Sequence, residues 1–303
     1  MNKTMLQCLK NKSFMEIIRY IKEYIETKKV TYRLSRTVLS ENGTSKNERD
    51  VKIVVSLTSF PGRINTVHQC IKTILNQSLK PDKVVLWLAV EQFENKENDL
   101  PFQLLELKDY GLEILWCHDN RSYKKLIPAI KTFPNSIIVT ADDDLYYDEN
   151  WLELLYQGYV DYPKCIQCHR GSKLIRNNGQ WAFIVGGRDI YDHPSYLNKL
   201  VGCGGVLYPP GCLHQDVLRE DLFMKLAPSN DDIWFWLMGV LAGTKIRTVE
   251  GRIMWNKEIR GTRQTGLCQN LNSDDVILEQ MNNVLKAYPM IENSLISEWS
   301  IIN

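Results

Sequence analysis

The sequence predicts an α/β fold in which a mostly parallel, doubly wound sheet is preceded by an amphipathic helical extension. Segments with strand and helix periodicity alternate from Val51 onward, which is typical of a parallel sheet with helices on both faces. The chain has 303 residues, 44% of them hydrophobic, so it can bury the core of one large domain. In this architecture, ligands bind outside the carboxyl ends of the strands.

The first 40 residues form the one strongly basic region, with nine Lys or Arg against three Glu. Apolar residues in it follow helical spacing and include Ile18, Ile21 and Ile25. We therefore expect a basic amphipathic helix, which either docks on an anionic membrane face through residues 12–30 or packs on the domain with its charges in solvent. Residues 40–50 (SENGTSKNERD) are polar and rich in turn formers, so residues 1–50 are interpreted as helix plus linker.

From Val51, four strand-like runs alternate with three helical ones. The strands are VKIVVSLTSF (51–60), DKVVLWLAV (82–90), LEILWC (112–117) and NSIIVTA (135–141). The helices are INTVHQCIKTILNQ (64–77), LPFQLLELKDYG (100–111) and SYKKLIPAIKTF (122–133). Further along, a helix is expected at 150–160, strands at 164–169 and 180–186, and a buried helix at 231–243. Residues 266–303 are expected to form a helical segment packed on the domain.

Three consecutive carboxylates, Asp142, Asp143 and Asp144, follow the fourth strand directly. Like charges this close repel unless a positive charge lies among them. Mg²⁺ or Mn²⁺ would supply that charge, since both prefer carboxylate, water and phosphate oxygens, and a diphosphate would fill the remaining positions. Asp142 and Asp144 are the predicted metal ligands. The alternative is a solvated acidic turn, or acidic residues that favour the N-terminus of the following helix.

The order of elements, the D-x-D after the fourth strand and the later SNDDIWFW (229–236) resemble the GT-A class of nucleotide-sugar glycosyltransferases, most like glycosyltransferase family 2. The resemblance covers roughly Val51 to Gly251. It implies a catalytic domain at 51–265 and a hexosyltransferase that uses a UDP- or GDP-sugar with Mn²⁺ or Mg²⁺. It also implies a saccharide or lipid-linked saccharide acceptor in cell-surface polysaccharide synthesis.

The resemblance also assigns residues to the donor. Thr58 and Ser59 occupy the loop that contacts the nucleoside, and Asp119 in CHDNR (117–121) corresponds to a base or ribose contact. Lys124 or Lys125, in the segment before the D-x-D strand, corresponds to a diphosphate contact.

The residue types agree with these assignments. A lysine pair at the start of a helix suits a diphosphate, although it can also be an ordinary exposed pair. Arg63, after Gly62 at a strand-end turn, can bind phosphate with two nitrogens or lie at the surface. Asp143 is expected to contact the donor as well.

Glycosyl transfer also needs a base for the acceptor hydroxyl. Asp231 and Asp232 are the candidates, because they precede an aromatic helix whose burial would raise a carboxylate pKa. Asp232 is preferred, and a single displacement then inverts the anomeric carbon, with retention as the alternative. Helix capping by Ser229, Asn230 or Asp231 explains the same residues without catalysis.

Aromatic residues near this pair allow two interpretations. The Gly-rich segment 202–212 can form a wall of the site, with Tyr208 facing a sugar ring. Trp181, Trp234 and Trp236 can stack on sugar, or they can belong to the core.

Composition and motifs narrow the remaining classes. The net charge of +1 gives no bias toward nucleic acid. Eight scattered cysteines and no export signal predict a cytoplasmic protein with reduced thiols, at the inner membrane face if the helix docks. Cys165 and Cys168 could join a zinc site with Cys203 or Cys212 and His214, although free cysteines are the default. A nucleotidyltransferase would need a Gly-rich loop after the first strand, and a non-catalytic sugar-binding protein remains the alternative from another class.

Overall fold

The computed structural model describes residues 14–184, 193–249, 257–262 and 274–302. Parts of three predicted segments lie outside these ranges: residues 1–13 of the basic extension, 185–186 of a strand, and 263–273 at the boundary of the C-terminal segment.

The strands within the ranges are β1 (Ile53–Thr58), β2 (Lys83–Ala89), β3 (Leu112–Cys117), β4 (Ile137–Ala141), β5 (Ile166–Cys168), β6 (Gly171–Asn177), β7 (Gln180–Ile184), β8 (Asn198–Leu200), β9 (Val206–Tyr208) and β10 (Ile246–Thr248). The α-helices are α1 (Phe14–Ser35), α2 (Val67–Leu75), α3 (Phe102–Leu105), α4 (Ile127–Thr132), α5 (Trp151–Asp161), α6 (Glu220–Leu226), α7 (Asp231–Leu241), α8 (Asp274–Ala287) and α9 (Pro289–Ile302).

Seven strands form the main sheet in the order β10-β5-β9-β4-β1-β2-β3. β1 pairs in parallel with β2 and β4, β2 with β3, and β10 with β5. β9 runs antiparallel between β4 and β5. A second sheet, in the order β7-β6-β8, is antiparallel. The predicted α/β class with a mostly parallel sheet is thereby confirmed.

Both faces of the main sheet are covered. Successive residues of a strand point to opposite faces, so neighbouring residues of β1 pack into different cores. Val54 of β1 packs into one core with Trp234 of α7 and Leu285 of α8. Its neighbour Val55 packs into a second core with Ile71 of α2. Two cores require apolar residues at nearly every position of a strand, which explains the continuous apolar runs of β1, β2 and β4.

The predicted N-terminal helix is present as α1 and rests on the domain through the buried residues Thr27 and Leu34. Residues 40–50 contain no regular structure, but they are held to the domain. The Gly43 N–H donates to the Tyr110 carbonyl at 2.8 Å, and Arg49 pairs with Asp82 at 2.8 Å. The predicted linker is thus a packed connection. Among the described residues, no helix combines the length and apolar character needed to cross a membrane.

Two predicted helices differ from their expected form. The segment 100–111 contains the short α3 and then a 3₁₀ helix, Glu106–Tyr110, which ends at Gly111 with φ of 102°. The segment 122–133 begins as a 3₁₀ helix, Arg121–Lys125, and becomes α-helical only from Ile127. Pro128 in the first turn of α4 explains this start, since proline lacks an N–H and is tolerated there.

Candidate functional site

The predicted metal ligands, Asp142 and Asp144, lie at the carboxyl edge of the main sheet, between β1 and β4. The strands that follow β1 in the chain, β2 and β3, lie on one side of it, while β4 lies on the other. This is the topological switch point at which open α/β sheets bind ligands. Ser59 follows β1 there, and Asp142 follows β4.

The middle aspartate of the triple is an anchor. Asp143 is buried, and its two carboxylate oxygens accept from Ser59 Oγ at 2.6 Å and from Arg63 Nη1 at 2.6 Å. Arg63 Nη2 lies 3.0 Å from Asp144 Oδ2. Burial raises the pKa of Asp143, while Arg63 and Ser59 oppose that effect. Arg63 therefore joins the loop after β1 to the loop after β4.

Asp142 and Asp144 differ from Asp143 because about a quarter of each side chain is exposed, 25% and 23%. Burial together with the charge of Asp142 raises the pKa of Asp144 to about 7. Arg63 and Lys125 bring two positive charges to the three carboxylates, so the triple keeps an excess of negative charge that a divalent cation would offset. Within residues 14–184, 193–249, 257–262 and 274–302, no three His, Cys, Asp or Glu side chains converge to hold an ion. The pair fits Mg²⁺ or Mn²⁺, which bind one or two protein carboxylates and complete their shell with phosphate and water oxygens.

Lys125 connects this triple to the second predicted carboxylate pair. Its buried Nζ lies 3.3 Å from Asp142 Oδ1 and 3.1 Å from Asp231 Oδ2. Burial disfavours the charge, yet Asp142 and Asp231 raise the pKa of Lys125 well above its ordinary value. The lysine consequently stays charged and places the two acidic groups in one network.

Asp231 and Asp232 are the first residues of α7. Asn230 caps the helix, since its side chain accepts from the Ile233 N–H at 3.0 Å, so the cap predicted for this stretch is Asn230. Asp232 Oδ2 accepts from the Gly202 N–H at 2.9 Å. Burial and the neighbouring charge of Asp231 raise the pKa of Asp232. A carboxylate in this state accepts a proton more readily than an exposed one.

Gly202 makes this arrangement possible. A Cβ at position 202 would lie 2.5 Å from Asp232 Oδ1 and 2.9 Å from Lys125 Nζ. Both distances are shorter than those at which a Cβ contacts other heavy atoms in proteins. Only glycine leaves room for both charged groups. Sequence reasoning found a Gly-rich segment here but did not identify this glycine.

Asp119 and Lys124 form a separate pair after β3. Lys124 Nζ donates to the Asp119 carboxylate, which also accepts from Gln92 Nε2 at 2.7 Å and from the Arg121 N–H at 3.1 Å. Burial alone would raise the pKa of Asp119, but Lys124 holds it below its ordinary value. Thr58 Oγ1 donates to the Trp87 carbonyl at 2.8 Å, so its hydroxyl proton is used inside the sheet.

Several alternative interpretations are now decided. The lysine pair is not exposed, because both Lys124 and Lys125 are buried. Tyr208, Trp234 and Trp236 are core residues and offer no face to a sugar, whereas Trp181 is half-buried. The described cysteines at the proposed zinc positions, Cys165, Cys168, Cys203 and Cys212, are free thiols.

One flanking segment had no signal in the sequence. In residues 257–262, the Ile259 N–H donates to the Asp144 carbonyl at 2.8 Å, and the Thr262 carbonyl accepts from Arg63 Nη2 at 3.4 Å. The segment lies about 115 residues beyond the triple aspartate in the sequence. No local pattern predicts a contact over that separation.

No protein-family model matches the chain, and no curated protein matches it. Solved structures of similar fold include the following two. A crystal structure of GalNAc-T7 with UDP, GalNAc and Mn²⁺ has a TM-score of 0.46 and 10% identity, over 77% of this chain and 51% of that chain. The structure of CMP:2-keto-3-deoxy-manno-octonic acid synthetase complexed with CTP has a TM-score of 0.39 and 16% identity, over 67% and 93%. This chain thus spans about half the length of the first, and likenesses this weak say nothing about its activity.

Proposed function

We propose that this chain is a divalent-metal-dependent glycosyltransferase that moves a sugar from a nucleotide-diphosphate sugar to a saccharide or lipid-linked saccharide. The observation that carries the proposal is the position of Lys125 between Asp142 and Asp231. Through it, carboxylates suited to a cation and carboxylates suited to a proton lie together at the switch point of the sheet. Transfer of a sugar from a diphosphate needs both groups in one site.

On the donor side, Asp142 and Asp144 would hold Mn²⁺ or Mg²⁺ together with diphosphate oxygens. The bound ion would supply positive charge to the departing diphosphate. Lys125 is charged, buried and adjacent to Asp142, so it is placed to contact the same phosphates. The Asp119–Lys124 pair at the end of β3 is proposed to contact the nucleoside.

On the acceptor side, Asp232 would take the proton of the attacking hydroxyl. The hydroxyl oxygen forms a bond to the anomeric carbon as the bond from that carbon to the diphosphate oxygen breaks. The nucleoside diphosphate leaves with the electron pair, and the configuration inverts. Asp231 is paired with Lys125, which leaves Asp232 as the better proton acceptor.

The first experiment is calorimetric titration of the intact chain with UDP and with GDP, each with and without Mn²⁺. Asp144→Asn removes one proposed ligand at constant size, and Asp109→Asn is a matched control at an exposed position. We expect binding that requires Mn²⁺, weakens at least about tenfold in Asp144→Asn and is unchanged in Asp109→Asn.

The nucleotide that binds selects the sugar donors for a turnover assay that detects the released diphosphate. Failure of both nucleotides to bind under either condition would falsify the donor site. Release of pyrophosphate from a nucleoside triphosphate and a sugar phosphate would instead identify a nucleotidyltransferase. Tight binding of a sugar nucleotide without turnover on any saccharide acceptor would indicate a binding protein. A place in cell-surface polysaccharide synthesis would follow from the acceptor found.

A further inference from the structure

The side of α1 that points away from the domain carries exposed apolar residues. Ile21, Tyr24, Ile25 and Tyr32 are all exposed, Tyr32 by 62%. At 3.6 residues per turn they fall on one side of the helix, whereas Thr27 and Leu34 on the opposite side are buried against the domain. The helix is therefore anchored through one face and presents an apolar stripe on the other.

Cations surround this stripe. Lys28 Nζ lies 5.5 Å from the ring centroid of Tyr24, and the Arg36 guanidinium lies 4.8 Å from that of Tyr32. Lys22 is also exposed. The sequence of α1 has five Lys or Arg against three Glu, and one of these, Glu26, pairs with Lys29 at 2.8 Å. The surface combines apolar, aromatic and basic side chains, as helices that lie in a lipid interface do.

We propose that this face of α1 docks on the surface of an anionic lipid bilayer. The isoleucines would enter the boundary between headgroups and acyl chains, the tyrosines would lie at headgroup level, and the cations would contact lipid phosphates. A second copy of the chain is a poorer occupant, because it would bring the same cations against each other. The complementary charge of the lipid removes that repulsion.

The position of α1 gives the docking a consequence. Glu26 and Arg33 line a cavity of about 580 Å³ together with Asp148, Glu149 and Asn150, which belong to the loop after the triple aspartate. The helix therefore lies beside the loop that leads from the triple aspartate to α5. A docked chain would hold this loop close to the bilayer and to any molecule anchored in it. The docking itself does not depend on the proposed sugar transfer.

The test is flotation of the full chain with vesicles of phosphatidylcholine, alone or mixed with phosphatidylglycerol, without nucleotide. We expect binding to the mixed vesicles that falls about tenfold in Ile25→Ser, through loss of apolar burial. Lys28→Ala should lower it about fivefold. Phe102→Ser, which removes from α3 an apolar side chain that is more exposed than Ile25 (69% against 46%), should leave vesicle binding unchanged. All three positions are exposed, so thermal unfolding should match that of the unaltered chain.

Absence of vesicle binding would overturn the proposal, as would equal binding to both lipid mixtures. Equal loss in Ile25→Ser and Phe102→Ser would also contradict it, because the effect would then not belong to α1. Analytical sedimentation of the same samples tests whether a second copy of the chain binds this face instead. A dimer that dissociates in Ile25→Ser, without vesicle binding, would assign the face to a second copy of the chain.

Discussion

The two carboxylate groups that share Lys125 are stabilised in different ways. The triple aspartate is held by side chains: Ser59 and Arg63 bind Asp143, and Arg63 and Lys125 reach the aspartates on either side. The pair at α7 is held by Lys125, by the backbone N–H of Gly202 and by its position at a helix N-terminus. One group keeps two partly exposed carboxylates, while the other places Asp232 against the backbone.

The same residue type thus acquires different chemistry in the two groups. Asp144 has a raised pKa because it is largely withdrawn from solvent beside Asp142, so an added cation would stabilise its ionised form. Asp232 has a raised pKa because it is largely withdrawn from solvent beside Asp231, with Lys125 opposing the effect. The first group suits a metal and phosphates, and the second suits a proton.

Substitutions in the two carboxylate groups should affect different steps, and this should be the strongest effect. Asp232→Asn should lower kcat about a thousandfold, since it removes the proton acceptor, while nucleotide binding with Mn²⁺ stays within about twofold. Asp144→Asn should instead weaken nucleotide binding with Mn²⁺. Calorimetry and product release on the same preparations check the separation of the two steps, with Asp109→Asn as the control. Loss of nucleotide binding in Asp232→Asn would contradict this separation, because it would show that both groups bind the nucleotide.

Replacement of the shared lysine tests whether the groups are coupled. Lys125→Met should lower the free energy of unfolding by about 3 to 5 kcal/mol, because it leaves Asp142 and the buried Asp231 without their cation. Lys131→Met, at an exposed position of α4, should change it by less than about 0.5 kcal/mol. Denaturant unfolding measures both. A small effect at Lys125 would mean that the carboxylates are neutralised independently.

The ionised form of Asp144 destabilises the folded chain. The folded chain holds a proton on Asp144 up to a pKa of about 7, against 3.8 for an ordinary carboxyl, so this group lowers stability as pH rises between those values. In a chelating buffer at pH 7, Asp144→Asn should therefore be more stable than the unaltered chain by about 4 kcal/mol. The difference should vanish below about pH 4.

Mn²⁺ should reverse that difference, because a cation stabilises the ionised carboxylate of the unaltered chain. Unfolding free energies across this pH range, with and without Mn²⁺, make the measurement. Asp109→Asn serves as the exposed control. A variant that matches the unaltered chain at pH 7 in chelator would show that Arg63 already neutralises Asp144 fully.

The smallest expected effect lies at the anchor. Ser59→Ala removes one of the two donors to the buried Asp143, which should cost about 2 kcal/mol of unfolding free energy. Ser297→Ala, at an exposed position of α9, should change stability by less than about 0.5 kcal/mol. If both variants unfold alike, Arg63 alone holds Asp143.

The first half of the fold could be predicted because its elements are long enough to show a period. The four strands β1 to β4 have five to seven residues each, and helical segments separate them. The second half was harder, since β5, β8, β9 and β10 have three residues each. Three residues carry no periodicity. β9 was consequently interpreted as part of a Gly-rich turn, although Val206–Tyr208 pairs with β4 inside the main sheet.

In the candidate site, too, local sequence predicts some features and not others. From the sequence alone came the residue types and their place at strand and helix ends: Asp142 and Asp144 after an apolar strand, and Asp231 and Asp232 before an aromatic helix. Local order determines these features, because strand and helix ends follow from neighbouring residues.

Which of these groups come into contact depends on long-range packing. Lys124 and Lys125 are adjacent in the chain, yet the first pairs with Asp119 and the second with Asp142 and Asp231. Asp142 and Asp231 are 89 residues apart, and the packing of α7 against the main sheet brings both to one lysine. Burial, which raises the pKa of Asp144 and Asp232, likewise exists only after packing, because it depends on residues distant in sequence.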